Sequence, residues 1–310
     1  DILSAGSMNQ NFKYLESKLG GINETTVNCG TDGNGHGINN AIQKGFNSIV
    51  INGICKENIK LDGREGNVPR LLKLRGANND YTKDKIIDNS SYTEHVLTFS
   101  YGGMVTIDNL TISGGDRGIT TWSNVNLWLK NTKVEGYKNR GITLQGNSVL
   151  SGVNLSIDGS FSEATSEEQG LRMWGGSVAY IGGNLSITNN TKYGITAWLS
   201  DIEIAGNVTL NGNGRAINIG KGGALTSSAN ITISDSKDQA VSISQGLLEN
   251  WDGSITIIGI SSGNGLLAWM SSIDIKNIKL ENITTKDELM SFDKSSCNLE
   301  NLTMNEPVYT

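Results

Sequence analysis

Short apolar-polar-apolar stretches recur along this chain, each opened by a glycine or another small residue. Gly118-Ile119-Thr120-Thr121-Trp122 returns as Gly141-Ile142-Thr143-Leu144-Gln145, Gly170-Leu171-Arg172-Met173-Trp174 and Gly194-Ile195-Thr196-Ala197-Trp198. Weaker copies start at Ile217, Val241, Leu266 and Leu289, and earlier ones at Leu72 and Val96. The first apolar residues of successive copies lie 22 to 29 residues apart. Alternation inside each copy marks a half-buried strand, and a fixed period in this range marks stacked coils. The expected fold is all-β, a solenoid of ~23-residue coils filling 22–310.

A second column runs in phase with the first. Asn58, Asn109, Asn131, Asn154, Asn184, Asn207, Asn230, Asn277 and Asn301 each precede an apolar-polar-apolar run such as Leu110-Thr111-Ile112. Stacked one per coil, these amides hydrogen-bond along the axis, so they are read as a structural ladder although many open Asn-x-Ser/Thr sequons.

The ends follow other patterns. Ala5, Met8, Phe12, Leu15 and Leu19 predict an amphipathic helix over 4–19, within a segment 1–21. That helix either packs on the protein's own body or is the tail of a coiled coil that makes a homo-oligomer. After a strand at Thr25–Cys29 and the glycine-rich loop Gly30–Gly37, a short helix Ile38–Gly45 presents Ile38, Ala41 and Ile42 on one face. The loop lacks the spacing of a nucleotide-binding fingerprint. The unit 25–46 is expected to plug the solenoid, whose first coil would otherwise expose core and unpaired backbone. The 29-residue coil carries an insertion at 159–168, the kind of loop on which function concentrates.

The plug Val27–Gly45, the coil Ser48–Leu61 with its Gly53-Ile54-Cys55-Lys56-Glu57-Asn58, and the Gly-Ile-x-x strands together resemble the pectate-lyase-like superfamily. The resemblance covers roughly 25–305 and is specific for fold rather than activity. It implies a right-handed, single-stranded parallel β-helix with three strands per coil. It also implies that polysaccharide binds the outer surface of the strand after the glycine-containing turn. Hydrolases of that superfamily place several aspartates there. Lyases use calcium held by Asp and Glu with an Arg or Lys base, so calcium enters by resemblance alone and no other cofactor is evident.

Composition narrows the function. A net charge of −6 over 310 residues argues against general nucleic-acid or membrane-surface binding, which needs a positive field. No apolar run reaches the ~18 residues of a membrane span. Asp1-Ile2-Leu3-Ser4 lacks the n- and h-regions of a signal peptide, so the signal of an exported protein would have been removed or lie outside this chain. Three cysteines permit one internal bridge. The favoured reading pairs Cys29 with Cys55, in keeping with a secreted or cell-surface protein. The alternative leaves two buried thiols, and Cys297 reads as a small buried residue.

Counting the first apolar residue of each copy as position 0, positions 0 and +2 point inward and +1 and +3 outward. Position +3 then holds Arg75, Phe99, Trp122, Gln145, Trp174, Trp198, Gly220, Ser244, Trp269 and Phe292, without an aspartate. Position +1 includes Thr120, Thr143, Arg172 and Thr196, and position −2 includes Arg70, Glu94, Arg117, Arg140, Gln169, Tyr193 and Arg215. Six of seven arginines thus fall on one strip of an acidic protein. One reading folds the tryptophans over one another with arginines flat upon them. The other makes Trp122, Trp174, Trp198, Trp269, Arg117, Arg140, Arg172, Arg215, Gln145 and Tyr193 a groove for an extended, acidic polysaccharide. The nearby carboxylates, Asp116, Glu167, Glu168, Asp201 and Asp293, are scattered over separate coils and turns; of these Asp116, Glu167 and Glu168 are the catalytic candidates, with Glu167 and Glu168 read as a solvated loop tip. A lyase would use Arg140 or Arg172 as base. A structural or adhesive rod is the third reading, and no Cys/His metal cluster is present.

Overall fold

A computed structural model describes residues 21–65, 69–161, 166–260, 263–283 and 289–304, without the side chains of 31–34. The expected helix at 4–19 lies outside the described residues. Strands pair in parallel with their counterparts one coil away, forming one 10-stranded and one 18-stranded sheet. A typical coil contributes Tyr193–Trp198 to the first sheet, then Asp201–Ile204 and Val208–Asn211 to the second. Three parallel strands per coil make this a parallel β-helix.

The repeated sequence motif is explained at two corners of each coil. Where glycine opens the strand there is no room for a side chain: a Cβ on Gly118 would stand 2.3 Å from Val134 Cγ1, and one on Gly141 2.6 Å from Ile157 Cγ2. At the other end, the residue after position +3 turns left-handed in coil after coil, at Ser123, Leu199, Lys221, Gln245, Met270 and Lys294. That conformation is uncommon for side-chain-bearing residues, and here it swings the chain from one sheet to the other. Between the corners Ile119, Ile142, Leu171, Ile195, Ile217, Val241 and Leu266 stack inward in register, each essentially without solvent exposure.

The asparagine ladder is seen in two runs. Asn131 donates to Asn109 at 3.2 Å and Asn154 to Asn131 at 3.1 Å, and Asn301 donates to Asn277 at 3.0 Å. Asn58 does not belong to it, because its amide bonds Asp88 and the His95 carbonyl in a different turn.

At the N-terminal end the helix Ile38–Gln43 buries Ile38, Ala41 and Ile42 in the core. Its N-terminus is occupied from the next coil: the Glu57 carboxylate accepts the N–H groups of Gly37, Ile38 and Asn39. A disulfide joins Cys29 and Cys55. At the other end Cys297 is exposed and not buried as expected. It extends the inward column of Ile273 onto the last described strand, Ser296–Met304, and no described coil covers it.

Three register assignments change. Leu97, not Val96, aligns with Ile119, and Met290, not Leu289, aligns with Leu266. The strand Leu71–Gly76 belongs to the 18-stranded sheet, so Arg70 and Arg75 leave the strip, and Ile59–Asp62 is the first strand of the 10-stranded sheet. Phe99 and Phe292 leave position +3, and aspartates do occur there, Asp62 and Asp293.

Candidate functional site

The outer face of the 10-stranded sheet carries three columns. Position −2 runs His95, Arg117, Arg140, Gln169, Tyr193, Arg215. Position +1 runs Thr98, Thr120, Thr143, Arg172, Thr196, Asn218, and position +3 runs Ser100, Trp122, Gln145, Trp174, Trp198, Gly220, Ser244, Trp269. Four of the six expected arginines are therefore on the strip, and His95 joins it.

The indoles of Trp122, Trp174 and Trp269 are 40%, 48% and 39% exposed, and Trp198 is partly exposed. Among the described residues no two of them form a stacked pair; the close ring pair is Tyr92 with Phe161, centroids 4.5 Å apart. Cations do lie over two indoles: Arg172 is 6.0 Å from the Trp174 centroid and Lys221 5.1 Å from that of Trp198. Gln145, nearly buried, fills the slot between Trp122 and Trp174. Successive coils are ~4.8 Å apart, so Trp122 to Trp198 forms a platform ~14 Å long.

Beside the platform lies a polar cluster that is closely packed yet poorly satisfied. Arg117 Nε stands 3.5 Å from Asp116 Oδ2, and His95 Nδ1 stands 3.7 Å from the same oxygen. Asn139 donates to the other carboxylate oxygen. Arg117 Nε and Nη1, Arg140 Nε, His95 Nδ1 and the hydroxyls of Thr120, Thr143 and Thr196 are buried without a hydrogen bond. Such groups are rare and call for a physical account.

The charges press on one another. Burial first, then Arg117 and Arg172, bring the Arg140 guanidinium down to about 10. Burial also lowers Arg117, with Asp116 working against the shift and Arg172 adding to it. His95 falls to about 4, through burial and then Arg117, so it is neutral at pH 7. At its value of about 10, Arg140 is still mostly a cation at pH 7.

A cleft of about 370 Å³ opens at the same end of the strip, lined by Asn58, Lys60, Thr93, Glu94, His95, Thr98 and Trp122. One wall is the loop 88–94, which Asp88 holds by accepting from Ser90, Tyr92 and Asn58. Tyr92 meets Phe161 of the insertion, so the two long loops join across the coils between them.

The remaining candidates are dispersed. Glu167 pairs with Lys192 at 2.5 Å. Glu168 is not at a solvated loop tip but fully buried; Oε2 accepts the Thr191 N–H at 3.2 Å and Oε1 has no partner. Burial pushes it up to about 7, so it anchors the insertion and faces no groove. Arg215 is held by Asp238 at 2.7 Å and lies 5.9 Å from the Tyr193 ring centroid, where Lys192 also lies at 5.5 Å. Among the described residues no group of three His, Cys, Asp or Glu is placed to hold a metal. No helix among them is long and apolar enough to cross a membrane.

No family model matches the chain, and no curated protein does. Among solved structures it is similar to the Dettilon tailspike protein (gp208), with 13% identity, a TM-score of 0.49, and coverage of 99% of this chain and 69% of that one. It is also similar to the Agl-KA catalytic domain, with 12% identity, a TM-score of 0.34, and coverage of 86% and 64%. The assignment as a parallel β-helix rests on the strand pairing itself.

Proposed function

We propose that this β-helix binds a polysaccharide, acidic in at least part of its repeat, along the outer face of the 10-stranded sheet. One observation carries the reading: exposed indoles and half-buried, unsatisfied arginines occupy neighbouring columns of the same face. Indoles offer flat apolar surfaces to the C–H faces of sugar rings, and guanidinium forks match carboxylate or sulfate oxygens. The absence of stacking among the four indoles supports this over a merely packed ladder. The disulfide accords with a secreted or cell-surface setting. A screen of immobilised acidic and neutral polysaccharides tests it. Wild type should retain at least one acidic polymer in a salt-sensitive way, whereas retention of none would leave a structural rod.

A second reading, cleavage of the bound glycan, is favoured by His95. It is neutral at pH 7, lines the cleft, and neighbours cations able to neutralise a uronate carboxylate. In β-elimination it would accept the proton α to that carboxylate as the C4–O bond breaks and a C4=C5 double bond forms, the leaving oxygen taking a proton from water. Unsaturated product absorbing in the near ultraviolet, lost in His95→Gln while binding is kept, would establish turnover.

A further inference from the structure

Positive charge is concentrated at one point of the strip. Arg117, Arg140 and Arg172 stand on three successive coils and repel one another. Further along, position −2 holds the neutral Gln169 and Tyr193 and then Arg215, already engaged by Asp238. In the +1 column that Arg172 continues, Thr120 and Thr143 are fully buried, with hydroxyls that bond nothing. The carboxylates that temper the cluster have other partners: Asp116 is held by Asn139, and Glu167 by Lys192.

Stacking like charges beside unpaired donors is unfavourable on its own. A compact anion removes both defects together. It neutralises the mutual repulsion and supplies acceptors for the guanidinium forks. Resting on the polysaccharide reading above, we propose that Arg117, Arg140, Arg172 and the Thr120 and Thr143 hydroxyls form a single subsite for an oxyanion substituent of the sugar. The substituent is a sulfate ester or a uronate carboxylate. Trp122 and Trp174, flanking the cluster, take the rings on either side, so charge is read at one point and shape along the rest.

The test titrates inorganic sulfate and, separately, sodium glucuronate against sodium chloride at matched ionic strength. The side-chain Nε–H resonances of the arginines are followed in wild type, Arg140→Gln, Arg172→Gln and Arg215→Gln. Saturable shifts at Arg117 and Arg140 are expected beyond the chloride control; the affinity read at Arg117 should weaken about tenfold in Arg140→Gln and Arg172→Gln and stay unchanged in Arg215→Gln. The stronger responder, sulfate or glucuronate, identifies the substituent. Circular dichroism reports whether each variant folds, and Arg172→Gln carries the test if Arg140→Gln does not. No saturable shift in wild type, or equal shifts in the variants, overturns the subsite. The two readings fail separately. Anion binding without retention of any polysaccharide leaves the subsite and removes the glycan. Glycan retention indifferent to Arg140→Gln and Arg172→Gln does the reverse.

Discussion

The first and second halves of the strip share one scaffold and differ in what they hold outside it. From the His95 coil to the Trp198 coil the outer columns carry arginines, three indoles and buried unpaired hydroxyls. From the Arg215 coil to the Leu266 coil they carry Asn218, Gly220, Ser242 and Ser244, a single indole at Trp269, and an arginine already paired. The inward columns are equally apolar and buried in both halves. Coil stacking therefore constrains the inside and leaves the outside free, so an unsatisfied exterior marks selection for something other than the fold. The corner position is less uniform. Gly118, Gly141, Gly170 and Gly194 open four first-half strands after Val96 at the first, Ala216 and Ala240 open the next two, and glycine returns at Gly265.

The contrast can be broken most severely at its centre. Trp174→Ala with Arg172→Ala should weaken glycan retention by at least ~100-fold, since buried aromatic and arginine anchors each cost about 2 kcal/mol or more. Its thermal unfolding should stay near wild type, because both side chains stand outside the core; a large drop in melting temperature would support a packed ladder instead. Next comes the corner. Gly141→Ala should cost about 2–4 kcal/mol by denaturant unfolding, as its Cβ would meet Ile157 at 2.6 Å and the Gly170 carbonyl at 2.8 Å. Ala216→Gly, where the corner already accepts a methyl, should cost only about 1 kcal/mol.

A third test concerns the anchor of the insertion. Glu168 is raised from 4.5 to about 7 in the folded state. Its contribution is fully present below pH 4.5 and is lost as pH rises through 7, because ionisation is then easier in the unfolded chain. Glu168→Gln should exceed wild type by on the order of 1–3 kcal/mol at pH 8 and match it near pH 4. A constant difference across that range would contradict the assignment. The smallest effect belongs to the second half: Arg215→Gln should change glycan retention by less than about twofold, its exposed ion pair being worth little.

Much of this was legible before the coordinates. The period, the inward columns, the asparagine ladder and the outward indoles all follow from alternation, which is unambiguous where single apolar residues flank polar ones. It fails where two apolar residues adjoin. Val96 and Leu97 are both buried, so period-2 reasoning cannot choose between them, and a slip of one residue reverses every face. That slip hid His95 behind Glu94 and put Phe99 outside. Aligning the coil on the residue equivalent to Arg117, rather than on the first apolar one, would have found it. Glu168 was missed for another reason. A carboxylate among polar loop residues looks solvated, and its burial depends on how the insertion folds back over the turn at Asn190 and Thr191, a contact between coils that no local pattern records.

The central claim is that the indole and guanidinium columns are the surface that meets a glycan. Its most direct test is to pass wild type and the Trp174→Ala/Arg172→Ala protein, at equal folded fraction, over the same panel of immobilised polysaccharides. The account predicts at least one acidic polymer held by wild type and released by the variant. Equal retention of both proteins, or of neither, would contradict it.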